Sequence, residues 1–225
     1  MVAAANRDSP DNPAEYGHMS QILISLLDQR MIERCAEVIE SGELVIFPTE
    51  TIYGIGGAAF NDDVWKRLNR LKPDRQRPYT YLVANWEMAE GLIGDETAAI
   101  RDAAKKLWPG PLTMVVRARD TLAKRFVAQD GSIGIRIPAI DRIRHAIEAS
   151  TVPWVHTSAN ISAGKGVRNL RKLNPAVKSS AGLIIDGKTT GLGGESTVVD
   201  LRQKPFGILR QGIMPKARIR EVIVS

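Results

Sequence analysis

Hydroxyl, amide and cationic side chains recur beside short apolar runs in this chain. Thr49 and Thr51 follow "VIFP", Lys72, Arg75 and Arg77 lie in "KPDRQRP", and Ser132 and Arg136 bracket "SIGIR". Ser158 and Asn160 lie in "HTSAN", Ser196 and Thr197 in "GESTVVD", and Arg210 in "GILRQG". Such donors and cations hold phosphates and carboxylates. No cluster of unpaired carboxylates offers a general base, so the chemistry would rest on positioning and electrostatics, as in nucleotidyl and phosphoryl transfer. Each residue also has a plain structural reading. Ser and Thr stop strands and cap turns, Lys and Arg solvate surfaces, and Asn160 can hold a turn. A shared position at strand ends favours a site, because ligands of open α/β sheets sit outside strand ends.

The elements that must position these residues alternate. "MIERCAEVIE" has helical spacing within Ile22–Gly42, and Gly42 stops it. "DDVWKRLNRLK", "DETAAIRDAAKKLW" and "DRIRHAIEAS" read as helices, the second ending at Pro109. "ELVIF", "YTYLVA", "LTMVVRA", "SIGIRIPA", "VPWVHTSAN", "GLIIDG", "STVVDL" and "GILRQG" read as strands or strand ends. The interleaving predicts an α/β (α+β) fold around a mixed sheet. "SAGKGVRNLRKLNPAVKSS" and "KTTGLGGES" read as flexible loops, being rich in Gly, Ser and Lys. In "PTETIYG", Thr49 and Glu50 are expected to shape a turn, Tyr53 to pack, and Gly54, Gly56 and Gly57 to let the chain turn away.

Several patterns are missing from the sequence: no GxxxxGK[ST], no HExxH and no GxSxG, while "GIGG" is too short for a dinucleotide fingerprint. His18, His145 and His156 are scattered, and Cys35 is the single cysteine. A disulfide within the chain and a cysteine metal cluster are thereby excluded, which fits a reducing cytosol, and a cytoplasmic location is expected. No protein metal site is expected. No apolar run reaches the roughly eighteen residues of a membrane span. Residues 1–20 read as a disordered leader and 21–225 as one catalytic domain. The net charge of +6 points to phosphate-bearing partners, whether nucleotides or RNA.

"FPTETIYGIG", "WPGPLTMVV", "IGIRIPA", "TSANISAG", "ESTVVDL" and "ILRQG" come in the order and approximate spacing of the YrdC/TsaC family. The chain resembles that family from about Ile22 to its end, in the short single-domain form. The resemblance implies a twisted mixed sheet flanked by helices, with a basic concave groove. It implies a nucleotidyltransferase that converts L-threonine, bicarbonate or CO2, and ATP into threonylcarbamoyl-adenylate and pyrophosphate. Mg2+ would accompany ATP, held mostly by phosphates and water. TsaD-type partners would pass the group on to tRNA, giving threonylcarbamoyladenosine, and tRNA or RNA is a further candidate partner. Residue by residue, Thr51, Arg136 and Ser196 match threonine-binding positions. Ser132, Ser158, Asn160 and Arg210 match ATP-binding positions. Lys72, with Arg75 or Arg77, matches the cations that face the triphosphate, and Lys72 and Arg75 are the expected catalytic pair.

Two departures from the family pattern fall on the nucleotide side. The family usually reads K-x-R where "KPDRQRP" reads K-x-x-R-x-R-P, so both Arg75 and Arg77 stay open for the arginine role. "SANISAGKG" carries an additional Ala163. The glycine-rich "SAGKG" and "KTTGLGG" are candidate closing loops. Two other readings compete. One is an RNA-binding module, suggested by charge and "GVRNLRKLNPAVKSS" but lacking interleaved aromatics. The other is a related carbamoyl-transfer enzyme with a different acceptor.

Overall fold

The computed structural model describes residues 21–73, 78–94, 98–161 and 166–223. The expected leader, Arg75, Arg77 and Ala163 lie outside the described residues. The strands are β1 (Ile22–Ser25), β2 (Val45–Phe47), β3 (Gly54–Ala58), β4 (Thr80–Leu82), β5 (Leu112–Arg117), β6 (Ser132–Arg136), β7 (Trp154–Ser158), β8 (Leu183–Asp186), β9 (Thr197–Asp200) and β10 (Gly207–Arg210). The helices are α1 (Met31–Glu40), α2 (Asp62–Leu71), α3 (Trp86–Glu90), α4 (Ala98–Leu107), α5 (Asp141–Ala149), α6 (Pro175–Ser179) and α7 (Lys216–Ile223). Several assignments differ from the sequence reading. Ile22–Ser25 is a strand, pairing in parallel with β8, because a four-residue apolar run fits either period. The segment expected as a flexible loop contains α6, capped by the Asn174 side chain with Pro175 in the first turn.

The strands form one mixed sheet in the order β1-β8-β2-β3-β7-β4-β6-β5-β9-β10. Its register runs unbroken across one row: Leu183, Val45, Gly56, His156, Thr80, Gly134, Val115, Asp200 and Gly207 are successive partners. Side chains alternate faces along a strand, so this row and its i±2 neighbours define one face. The opposite face carries Ile46, Ile55, Tyr81, Ile135, Met114 and Val199. These join the larger core with Val64 and Leu68 of α2, Ala103 and Leu107 of α4, and Ile219 of α7.

The first face is divided. On the β8–β2–β3–β7–β4 side, Val45, Phe47, Leu82, Trp154, Leu183 and Ile185 pack under Met31, Cys35, Val38 and Ile39 of α1 and Ile143, Ala146 and Ile147 of α5. That apolar cluster contains no residue of β6, β5, β9 or β10. There the same face carries Ser132 and Arg136, Thr113 and Arg117, Ser196 and Asp200, and Arg210. The sheet thus changes from a dry half, roofed by helices, to a half where Ser132, Arg136, Ser196 and Arg210 share that face.

The glycines of β3 have a different reason from the one expected. They lie within a strand rather than at a turn, and a Cβ on Gly56 would stand 2.3 Å from the Val155 carbonyl oxygen of β7. Close strand approach, not a change of direction, requires glycine there.

Candidate functional site

The turn between β2 and β3 is organised by Thr49. Its hydroxyl donates to the Ile52 carbonyl at 2.7 Å and accepts from the N–H groups of Thr51 and Ile52, each at 3.2 Å. The Thr49 and Thr51 hydroxyls also lie 2.7 Å apart, and either can be the donor. Arg136 Nη2 in turn donates to the Thr51 hydroxyl at 3.1 Å. Arg136, Thr51 and Thr49 thus form one connected hydrogen-bond chain that ends at the Ile52 carbonyl.

Arg136 closes β6 and is 4% exposed. Nε donates to the Gly110 carbonyl at 3.1 Å, and Nη2 also meets Glu50 Oε1 at 2.6 Å. Glu50 is itself held, because Oε2 accepts the Ala139 N–H at 3.0 Å and its carbonyl accepts the Leu192 N–H at 2.9 Å. No protein partner is recorded for Arg136 Nη1 among the described residues. Glu50, expected only to shape the turn, thus ties that turn to the segment after β6 and to the glycine-rich loop before β9.

Ser196 sits just before β9, with its hydroxyl 2.9 Å from that of Thr113 on β5. Arg210 reaches it from β10: Nη2 donates to the Ser196 hydroxyl at 3.1 Å and to its carbonyl at 2.9 Å, and Nη1 pairs with Glu195 at 2.7 Å. Arg210, expected at the nucleotide, therefore stands beside a residue expected at threonine. Ser132 opens β6, and its hydroxyl donates to Asp130 at 2.6 Å. Arg202 bridges Asp130 and Asp200 at 2.7 Å each. The Ser132 hydroxyl bond, with Arg202 adding to it, holds the Asp130 carboxyl below the usual range. The Arg202 bonds do the same for Asp200. Arg202 is raised in turn, mainly by its bond to Asp200.

Lys72 caps the C-terminus of α2 and is 8% exposed. Its Nζ donates to Asn160 Oδ1 at 2.6 Å, and the Ser158 hydroxyl donates to the same oxygen at 2.7 Å. Three of the nucleotide candidates therefore meet on one amide oxygen, although Lys72 and Asn160 are 88 residues apart in the chain. This donor set of ammonium, hydroxyl and amide suits phosphate oxygens.

The expectation of a common strand end needs correction. Thr80 pairs with both His156 and Gly134, so Ser158 and Ser132 lie two residues to one side of that row. Arg136 lies two residues to the other side, level with Leu82 and Trp154. Ser132, Arg136, Ser158, Ser196 and Arg210 share a face of the sheet rather than an edge, and Lys72 joins Ser158 on the Asn160 amide oxygen from the end of α2. The sequence reading missed Glu50, Thr113, Asp130, Asp200 and Arg202 as parts of the site. Alternation along "LTMVV" places Thr113 on the polar face and Asp200 stands two residues from Arg202, but the Arg136–Glu50 and Arg202–Asp130 pairs join residues 86 and 72 apart, too distant to carry a local signal.

A family model described as telomere recombination, Sua5/YciO/YrdC, matches residues 37–212. The chain belongs to the Sua5/YciO/YrdC family. A Pyrococcus abyssi threonylcarbamoyl-AMP synthase is 32% identical to it over 198 residues, covering 88% of this chain and 58% of the relative. The Bacillus subtilis threonylcarbamoyl-AMP synthase is 30% identical over 194 residues, covering 85% and 56%. The chain thus spans under three-fifths of the length of these two family members. The crystal structure of P. abyssi Sua5 complexed with L-threonine superposes with a TM-score of 0.83 at 31% identity, covering 90% of this chain and 61% of that one. The mixed sheet flanked by helices is therefore the family's fold, as the motifs implied. No helix among the described residues is long and apolar enough to cross a membrane.

Proposed function

We propose that this chain is a threonylcarbamoyl-AMP synthase that joins L-threonine, bicarbonate or CO2, and ATP into threonylcarbamoyl-adenylate, releasing pyrophosphate. The observation that carries this reading is the buried Arg136, fixed through Nε and Nη2 with Nη1 left to a ligand, beside the buried Thr51 hydroxyl. A guanidinium edge suits a carboxylate. A hydroxyl beside it suits the polar groups of the same amino acid. The relative solved with L-threonine supports the choice of amino acid.

In this reading Arg136 holds the threonine carboxylate, and Thr51 and Ser196 orient the remainder. The amine, once carboxylated, places a carbamate oxygen for in-line attack on the α-phosphate. Lys72, Asn160 and Ser158 hold the nucleotide phosphates with Arg75 or Arg77, and the Ser158 and Ser132 protons must turn from their present acceptors to reach a phosphate. Arg210 stands between the two substrates. Mg2+ arrives on the triphosphate and neutralises its charge. Catalysis is then the holding of two reactants in line. The adenylate would be handed to a TsaD-type transferase acting on tRNA.

The test is pyrophosphate release by purified protein given ATP, Mg2+, bicarbonate and each amino acid in turn. Turnover that requires threonine is the expected result. RNA binding without turnover, or activity only with carbamoyl phosphate, would replace this reading with one of the two rivals.

A further inference from the structure

The site must hold two very different anions side by side, an amino-acid carboxylate and a triphosphate. A buried arginine does not distinguish them, since a guanidinium fork fits phosphate as well as carboxylate. We propose that Glu50 sorts these anions: its ion pair with Arg136 makes the amino-acid pocket electrically neutral, so that it accepts a zwitterion and refuses phosphates. The proposal rests on the reading of Arg136 as the carboxylate-binding residue.

The geometry favours a permanent pair over a passing contact. Side-chain exposure is 4% for Arg136 and 13% for Glu50 across the 2.6 Å bridge. Both Glu50 oxygens are engaged, one by Arg136 and the other by the Ala139 N–H. A charge this deep is destabilised when its partner is removed, and it draws in whatever counter-charge can reach it. With Glu50 present, a phosphate approaching Nη1 gains one cation and meets the anion already paired with it. A zwitterion meets opposite charges for both of its own: Arg136 for the carboxylate and Glu50 for the ammonium.

The measurement is L-threonine binding without ATP, followed by calorimetry, with and without inorganic phosphate as the competing probe. In the wild-type protein about 10 mM phosphate should leave the threonine Kd unmoved, because the pocket is neutral. In Glu50→Gln the same phosphate should raise the threonine Kd about tenfold in a competitive manner, as an unpaired cation would require. Glu50→Asp, which keeps the charge, should restore indifference to phosphate. A purely structural role would weaken threonine binding in Glu50→Gln equally in both buffers, and that result overturns the proposal. Competition by phosphate in the wild type, or in a folded Glu50→Asp, also overturns it, and these arms decide the matter should the Gln variant fail to fold. A wild type that binds no threonine at all overturns the reading beneath it, and this proposal with it.

Discussion

At the scale of the residue, the fixed contacts of Arg136 decide what could replace it. Lysine keeps the charge, but one ammonium cannot serve the Gly110 carbonyl, Glu50, Thr51 and a ligand together. Arg136→Lys should therefore raise the KM for threonine by about 10- to 100-fold, the equivalent of about 1.5–3 kcal/mol for a charge-assisted hydrogen bond. The KM for ATP should stay within about twofold, since the nucleotide candidates Lys72, Asn160 and Ser158 form a separate trio. Separate titrations of the two substrates check this, and equal losses for both would contradict the division of roles. At this scale the sequence was informative in kind. Hydroxyls and a cation beside apolar runs made Thr51, Arg136 and Ser196 candidates among several, and only the family resemblance implied that they match threonine-binding positions. The role of Glu50 could not be named, because its partner lies 86 residues away and a glutamate in a turn has an ordinary explanation.

At the scale of the element, β3 shows how a strand can be held by what it lacks. Its Gly56 faces His156 across the pairing with β7, and a methyl group there would collide with backbone, which cannot swing aside. Gly56→Ala should lower stability by on the order of 3 kcal/mol, as overpacking of a closely fitted interior does. Denaturant unfolding would show it as a fall in midpoint with the slope unchanged. A variant as stable as the wild type would mean that β3 and β7 separate more readily than their register implies. Helices were the most legible elements. α2 was visible from its acidic first turn and its buried Val64 and Leu68, and the Asn61 side chain caps it by accepting from the N–H groups of Asp63 and Val64. The three- and four-residue strands were less so. β1 lies beside a helix in sequence, and its few apolar residues carry no period of their own.

At the scale of the whole molecule, Arg202 links the end of β9 to the connection before β6, and its two carboxylate partners make that link sensitive to pH. Asp200 and Asp130 are both held below their ordinary range in the folded chain. Their contribution to stability is present above the unfolded carboxylate pKa of about 4 and is lost as the pH falls through the lower folded values. Asp200→Asn should accordingly be about 2 kcal/mol less stable than the wild type near neutral pH, with the gap closing below about pH 3. Paired thermal melts across pH 2–7 would check this, and a gap independent of pH would assign the loss to packing instead. The fold class was legible because helices and strands interleave. The strand order was not, since local patterning is silent about which distant strand a given one will meet. That order has a consequence for synthesis. β2 pairs with β8, joining Ile46 to Ile184, and β1 lies beyond β8 at the margin of the sheet. At about 5–20 residues per second, translation leaves the outer edge of β2 without its neighbour for on the order of ten seconds. A growing chain therefore carries an apolar strand edge until β8 is made. Its vulnerability to aggregation should be greatest then, and should end abruptly when Leu183–Asp186 emerges to close the sheet between its first two strands.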